Sequence, residues 1–406
     1  MEMTYAPPVA DLVKPRSRAL MVGGVGIALC LLAVFVDRGN LFRSWLITYM
    51  VFLGISLGSL ALMMIQHLSG GQWGIFRRIF EASSRTLPLM AALFIPLAVG
   101  FTYLYPWSHP DLVQADEIIR HRSPYLNATF FFARAVIYLA SWNALAWVLN
   151  QWSLRQDNGD VKINHSIQKL CGAGLVIYAL TITAAGIDWI MSLNPHWYST
   201  LFGFLMMGGQ GIAALSFTII AAAFLLPRPP LSGLLKPNHF HDLGKLTFAF
   251  IMLWAYFNFS QYMLTYAANL VEEIPYMVAR IRNGWQYLAL FLVIFHFFVP
   301  WLLLLSRSLK RRPSQLIRIA YWMLFMRFVD VFMLVSPEFM PNGENAHFAH
   351  GEEVMSRFFV SWTDLAAPLA IGGLFMWMFF TELGKRPLFA ASDPYLIESL
   401  QSGGGH

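Results

Sequence analysis

Charged side chains are scarce in this sequence. Asp, Glu, Lys and Arg make up 12% of its 406 residues, whereas about a quarter of the residues in a soluble domain are charged. Hydrophobic residues make up 57% of the chain. Because a water-exposed surface needs more charge than this, the composition predicts an integral membrane protein and excludes a soluble domain of ordinary size.

Cysteine is also scarce, and metal-ligand spacings are missing. The two cysteines, Cys30 and Cys171, lie in apolar runs and form no CxxC pair, CxxCH motif or iron–sulfur pattern. His67 and His296 cannot share one haem, since their helix positions place them about 15 Å apart in depth. We therefore expect no metal in this chain, and we expect that any redox cofactor belongs to a partner.

Ten apolar runs are long enough to cross a hydrocarbon layer of about 30 Å. They are residues 18–36, 43–66, 85–105, 128–150, 168–190, 198–226, 245–268, 284–305, 315–335 and 358–381. Lipid offers the backbone no hydrogen-bond partner, so these runs predict helices. The sequence thus predicts an all-α membrane protein with one polytopic domain over residues 1–406, and its first run is expected to be an anchor helix.

The basic residues are distributed unevenly between the two sets of loops. Both tails and the loops after even-numbered helices hold eighteen Lys and Arg, against seven in the other loops. By the positive-inside rule, both termini are expected in the cytoplasm. The outward loops are rich in Trp and Pro, and they fit either simple caps on the bundle or a docking surface for a partner. Their acidic residues are Glu272, Glu273, Glu338, Glu344, Glu352 and Glu353.

A weak internal repeat relates helices 2–5 to helices 6–9. Helices 2 and 6 are rich in glycine, which permits close helix packing, and helices 5 and 9 each have an aspartate near the outward end, Asp188 and Asp330. We therefore expect two parallel-repeat four-helix bundles, residues 43–190 and 198–335. They are flanked by helix 1 (17–42) and helix 10 (358–381).

Ionisable residues inside a membrane are costly and usually mark a functional path or a paired structural site. Five lie in the predicted outward half of the spans: Arg134, Asp188, Arg327, Asp330 and Asp364. Of these, Asp364 is expected two turns inside helix 10. His67, Glu81 and His296 lie deeper or toward the inward side, and Glu81 is one turn from Arg85. These eight are candidates for a quinone site or a proton path. Two alternatives are a transporter for a small solute and an anchor held together by paired charges.

Several segments resemble the F subunits of bacterial alternative complex III, members of the polysulfide reductase NrfD-like family. The resemblance covers about residues 43–310 and rests on QHLSGGQWG at 66–74, RTLP at 85–88, DWIMSLNPHW at 188–197, WAYFNFSQY at 254–262 and NLVEEIP at 269–275.

The resemblance implies a subunit of a quinol:electron-acceptor oxidoreductase in the bacterial inner membrane, not catalytic alone. It implies a sister NrfD-like membrane subunit and partner subunits that hold haem c and iron–sulfur clusters. Menaquinol or ubiquinol would be oxidised, and this chain would supply a quinone site, half of a proton path or a structural half. No nucleic acid is expected as a partner.

Overall fold

The computed structural model describes residues 12–160, 162–228, 235–271, 273–348 and 356–388. Three of the acidic loop residues, Glu272, Glu352 and Glu353, lie outside these ranges. Within them the chain is helical and has no β-strand, apart from an isolated bridge between Phe339 and Asn345.

Eighteen α-helical segments follow one another in the described ranges. They are α1 (Val13–Val36), α2 (Arg38–Ser69), α3 (Arg77–Ser84), α4 (Leu87–Leu93), α5 (Ile95–Val99), α6 (Phe101–Leu104), α7 (Pro110–Ala115), α8 (Glu117–Arg122), α9 (Ala128–Asp157), α10 (Ile163–Trp189), α11 (Phe202–Leu225), α12 (Pro237–Ala268), α13 (Ile274–Arg280), α14 (Trp285–Leu292), α15 (Val299–Leu305), α16 (Arg307–Lys310), α17 (Pro313–Val335) and α18 (Thr363–Leu383).

Nine helices in the described residues are long and apolar enough to cross a membrane, and they fit a multi-pass membrane protein whose apolar surfaces contact lipid. Nine of the predicted spans are thus confirmed as helices of sufficient length and hydropathy, and the count of about ten stays a prediction. The predicted run 245–268 does lie in a helix of 32 residues, α12, but it is not among the nine. Its tyrosines, Asn258 and Gln261 lower its hydropathy.

Proline breaks the third predicted span into short pieces. Pro88 and Pro96 stand in the first turns of α4 and α5, because proline lacks the N–H that an interior helical position needs. The eighth span contains a π-helical turn, Val293–Phe298, just before Pro300. Such turns are rare and occur often at functional sites.

Helices α2 and α11 form the centre of the bundle. Both are buried along most of their length, and α2 packs against α3, α10, α11, α17 and α18. A Cβ on Gly58 of α2 would lie 2.3 Å from the carbonyl oxygen of Gln210 of α11. Glycine at this position therefore permits the close approach of the two helices.

The two ends of the bundle differ. The loop-rich end, as we call it, consists of residues 104–127, 190–201 and 336–348, which Asn345 ties together by donating to Leu104 O (2.9 Å) and Leu193 O (3.1 Å). The basic end consists of residues 70–85, 153–160, 162–169, 306–312 and 384–388. Buried ion pairs such as Arg78–Asp157 and Arg386–Glu81 join three of these segments.

Helix α1 packs mainly on α18 through glycine. A Cβ on Gly26 would lie 2.1 Å from the backbone nitrogen of Ala370, whereas a Cβ on Gly24 would meet nothing within 4 Å. We expect Gly26→Leu to lower the free energy of unfolding by about 1–3 kcal/mol through overpacking, measured by thermal unfolding in detergent. Gly24→Leu is the control and should leave it unchanged; equal effects of the two would contradict the packing.

Candidate functional site

A buried ion pair joins α9 to α10 near the loop-rich end. Arg134 donates from Nε to Asp188 Oδ2 (2.7 Å) and from Nη2 to Oδ1 (2.9 Å), and Tyr138 donates its hydroxyl to Oδ2 (2.9 Å). Asp188 is fully buried. The carboxylate thus accepts three hydrogen bonds, two of them in the paired geometry that makes arginine–carboxylate contacts strong.

Two aromatic rings pack against the Arg134 guanidinium. Its central carbon lies 3.9 Å from the ring centre of Tyr125 and 4.5 Å from that of Phe130, a cation–π arrangement. Burial, and after it the negative charge of Asp188, raises the pKa of Tyr125 to about 12. The Tyr125 hydroxyl is therefore protonated at neutral pH, and it is available as a donor next to the pair.

A second buried pair lies in α17, where Arg327 Nη1 contacts Asp330 Oδ2. Trp254 of α12 also donates its indole N–H to Asp330 (3.2 Å), and the ring of His296 lies 4.0 Å from that of Trp254. His296 is fully buried in the π-helical turn, and neither of its ring nitrogens has a hydrogen-bond partner in the described residues.

A third pair, Arg43–Asp364, joins α2 to α18 at 2.6 Å. Ser44 donates to the same carboxylate at 2.6 Å. The sequence prediction placed Asp364 two turns inside its helix, which is wrong: α18 begins at Thr363, so Asp364 is in the first turn. The run of apolar residues before Thr363 is not helical, and the helix boundary was therefore misjudged.

The basic end contains the most highly charged buried cluster. Glu81 is fully buried and contacts Arg77 (2.9 Å), Arg78 (2.6 Å), Arg386 (3.4 Å) and Arg85 (3.8 Å). Ser153 donates to the same carboxylate at 2.7 Å. Four cations around one carboxylate explain how Glu81 can stay charged away from water.

His67 lies beside this cluster, in the last turn of α2. It is buried and within electrostatic reach of Arg77 and Glu81. The eight predicted residues thus fall into four separate groups. The structure brings together Arg134 with Asp188, Arg327 with Asp330 and His296, and His67 with Glu81, and it places Asp364 with Arg43.

Between the two ends, several residues along α2 have a buried polar side-chain atom without a hydrogen-bond partner in the described residues. We call this set the α2 seam: Tyr49, Ser59 and Gln66 of α2, Trp189 of α10 and Gln210 of α11. The ring centres of Tyr49 and Trp189 are 6.0 Å apart, and Tyr178 donates to Gln210 at 2.7 Å. Buried polar atoms of this kind are usually satisfied by internal water.

Sequence reasoning missed several of these residues. Arg43, Tyr138, Trp254, Arg386 and Gln210 were not among the candidate residues, although Arg43 is fully buried. Gln210 had a sequence signal, since a glutamine within the glycine-rich run 208–211 is unusual for an apolar helix. The others had none, because their roles depend on residues far away in the chain.

The loop-rich end also contains a histidine–carboxylate contact outside the spans. His196 lies 2.6 Å from Asp116, and the rings of His196 and His347 are 5.8 Å apart. Burial alone would raise the pKa of Asp116, but the hydrogen bond to His196 and those from the backbone of Ile118 and Ile119 lower it below its usual value. Asp116 is therefore charged at neutral pH and fixes the His196 ring.

No group of three or more His, Cys, Asp or Glu side chains in the described residues is arranged to hold a metal ion. No protein-family model matches the chain, and no curated protein matches it either.

Proposed function

We propose that this chain is a membrane subunit of a quinol-oxidising electron-transfer complex, to which it contributes half of a proton path. The α2 seam is the observation that supports this most. It lies between two buried carboxylates, Asp188 near the loop-rich end and Glu81 at the basic end. The resemblance to the alternative complex III subunits supports the choice of complex.

The seam is long enough to bridge most of a membrane. Tyr49 and Gln66 are seventeen positions apart on α2, which corresponds to about 26 Å along a helix. Toward the loop-rich end, the seam adjoins Asp188 through Trp189, the next residue of the chain. Toward the basic end, it adjoins His67 and then the Glu81 cluster. Water between these donors and acceptors would form a chain along which protons can move.

Gln210 is the central element of this path. Its amide oxygen accepts from Tyr178, and its amide nitrogen is buried without a partner in the described residues. The side chain lies against Gly54, where a Cβ would be 3.3 Å from Gln210 Cγ. A glutamine held in this way can both donate to and accept from water at the middle of α2.

The remaining features of the proposal concern orientation and partners. Both termini face the cytoplasm of a bacterial inner membrane, as the distribution of basic residues favours. The loop-rich end docks subunits that hold haem c and iron–sulfur clusters, and a sister NrfD-like subunit lies alongside. The quinone is menaquinol or ubiquinol. The predicted spans 2–5 (residues 43–190) and 6–9 (residues 198–335) form two repeated bundles.

A purely structural anchor is the second candidate, and one observation favours it. Each of the acids Asp188, Asp330 and Asp364 has an arginine partner. Pairs of this kind can hold helices together without moving protons.

The seam can be tested with Gln210→Leu, which keeps the side-chain volume and removes the amide. We expect the complex to assemble with haem c and iron–sulfur subunits, and proton transfer coupled to quinol oxidation to slow by about tenfold or more, since positioned proton-transfer groups contribute roughly 10²–10⁴-fold. Proton release by the purified complex in vesicles measures this.

Asn143→Leu is the matched control, because Asn143 is a half-buried amide of α9 that bonds its own helix at Leu139 O. It should leave proton transfer unchanged. Unchanged proton transfer in Gln210→Leu would exclude the seam as the path. Isolation of the chain alone, with a bound solute, would instead favour a transporter.

A further inference from the structure

A cavity of about 300 Å³ opens at the loop-rich end, between the segment that precedes α9 and the segment that follows α10. Its first wall is formed by His121, Arg122 and Tyr125, and its second by Ile187, Met191 and Trp197. The cavity is thus at the level where both spanning helices end. Because α9 and α10 are candidate membrane spans, we expect this level to coincide with the head groups of a bilayer.

The polar part of the cavity is cationic. His121 and Arg122 line it, and no aspartate or glutamate does. In the described residues no carboxylate lies within 4.0 Å of Arg122, which donates weakly to Trp197 O (3.4 Å) and lies 5.8 Å from the Tyr198 ring centre. The nearby acids are engaged elsewhere, Asp116 with His196 and Asp188 with Arg134. An anionic group would therefore meet an unneutralised guanidinium.

The apolar part continues down the outside of α10. Ile187 lines the cavity, and on the same face of the helix Leu180, Ile177 and Val176 are exposed, Leu180 by 68%. Spacings of seven, ten and eleven residues bring these side chains into one stripe. The stripe runs about 16 Å from the cavity, at 1.5 Å per residue. Soluble phosphate would use only the cationic part, whereas a lipid would use both.

We propose that this cavity binds the phosphodiester head group of an anionic phospholipid, with Arg122 contacting the phosphate and an acyl chain lying along α10. Tyr125 forms both a wall of the cavity and the ring on which Arg134 rests. A bound lipid would thereby pack against the Arg134–Asp188 pair from outside. The inference does not depend on the function proposed above.

The test is a titration of the purified, delipidated protein with phosphatidylglycerol, read by native mass spectrometry. We expect Arg122→Gln to raise the apparent Kd about tenfold, as for a lost charged hydrogen bond. Arg122→Lys should retain most of the affinity. Arg120→Gln is the matched control, since Arg120 is a basic neighbour that does not line the cavity, and it should change the Kd less than about twofold.

A second variant covers the case in which Arg122→Gln does not fold. Leu180→Asn lies on the exposed stripe, outside the core, and should also weaken binding of phosphatidylglycerol. The proposal would be overturned if Arg122→Gln and Leu180→Asn both had the wild-type Kd, or if Arg120→Gln lost as much affinity as Arg122→Gln. Equally tight binding of phosphatidylcholine would also overturn it. So would displacement of the lipid by inorganic phosphate or by a quinone analogue at a similar concentration.

Discussion

Glu81→Gln is expected to lower the free energy of unfolding by about 3–5 kcal/mol, the cost of removing one partner of a buried charge pair. Glutamine has nearly the same shape but no charge, so Arg77, Arg78, Arg85 and Arg386 would lose the carboxylate that they share, while Asp157 and Glu382 would remain beside Arg78 and Arg85. We expect the thermal midpoint in detergent to fall and the yield of the folded protein to drop.

Glu117→Gln is the control for this change. Glu117 is an exposed residue of the first turn of α8, and the same substitution there should alter the stability by less than about 0.5 kcal/mol. If both variants unfolded at the wild-type temperature, the arginines at the basic end would have to be stabilised by groups other than Glu81.

The second large effect is expected at the Arg134–Asp188 pair. Asp188→Asn alone should cost about 3–5 kcal/mol, because Arg134 would remain buried without its counter-charge. The double variant Arg134→Leu with Asp188→Leu removes both charges, and apolar replacement of a whole buried pair is often neutral or stabilising. We therefore expect the double variant to fold with near wild-type stability, measured by thermal unfolding.

The double variant also separates the two candidate functions. If Asp188 takes part in proton transfer, the folded double variant should assemble into the complex and release protons at least about tenfold more slowly. If the pair only holds α9 to α10, proton release should match the wild type. Arg43→Leu with Asp364→Leu is the matched control, since this pair joins α2 to α18 and includes no residue of the α2 seam.

The length and hydropathy of the apolar runs were sufficient to predict the helical membrane architecture. A span is encoded by about 20 consecutive residues, so nine of ten were recognisable without any knowledge of their neighbours. The run within α12 was also recognised as a candidate span, and it does lie in a helix of 32 residues, although its polar side chains keep that helix out of the nine most apolar ones. The helix start at Thr363 was missed because the run before it is apolar but not helical.

The candidate site was predictable only in part. Ionisable residues within apolar runs stand out in a sequence, and all eight that were selected are in helices or next to their ends. Their partners do not stand out. Asp188 pairs with a residue 54 positions away, and Arg43 pairs with one 321 positions away. For Glu81, three arginine partners lie within four positions in the sequence, but nothing local indicates the fourth, Arg386, which is 305 positions away.

The sequence by itself determined that this chain is a helical, multi-pass membrane protein with few charges inside its spans, because hydropathy and charge are properties of each residue and its immediate neighbours. Only the tertiary structure decided which charges are paired, where polar groups are left without partners and where a cationic cavity opens. These features depend on distances between side chains of separate helices, and the packing of α2 against α10, α11 and α18 sets those distances.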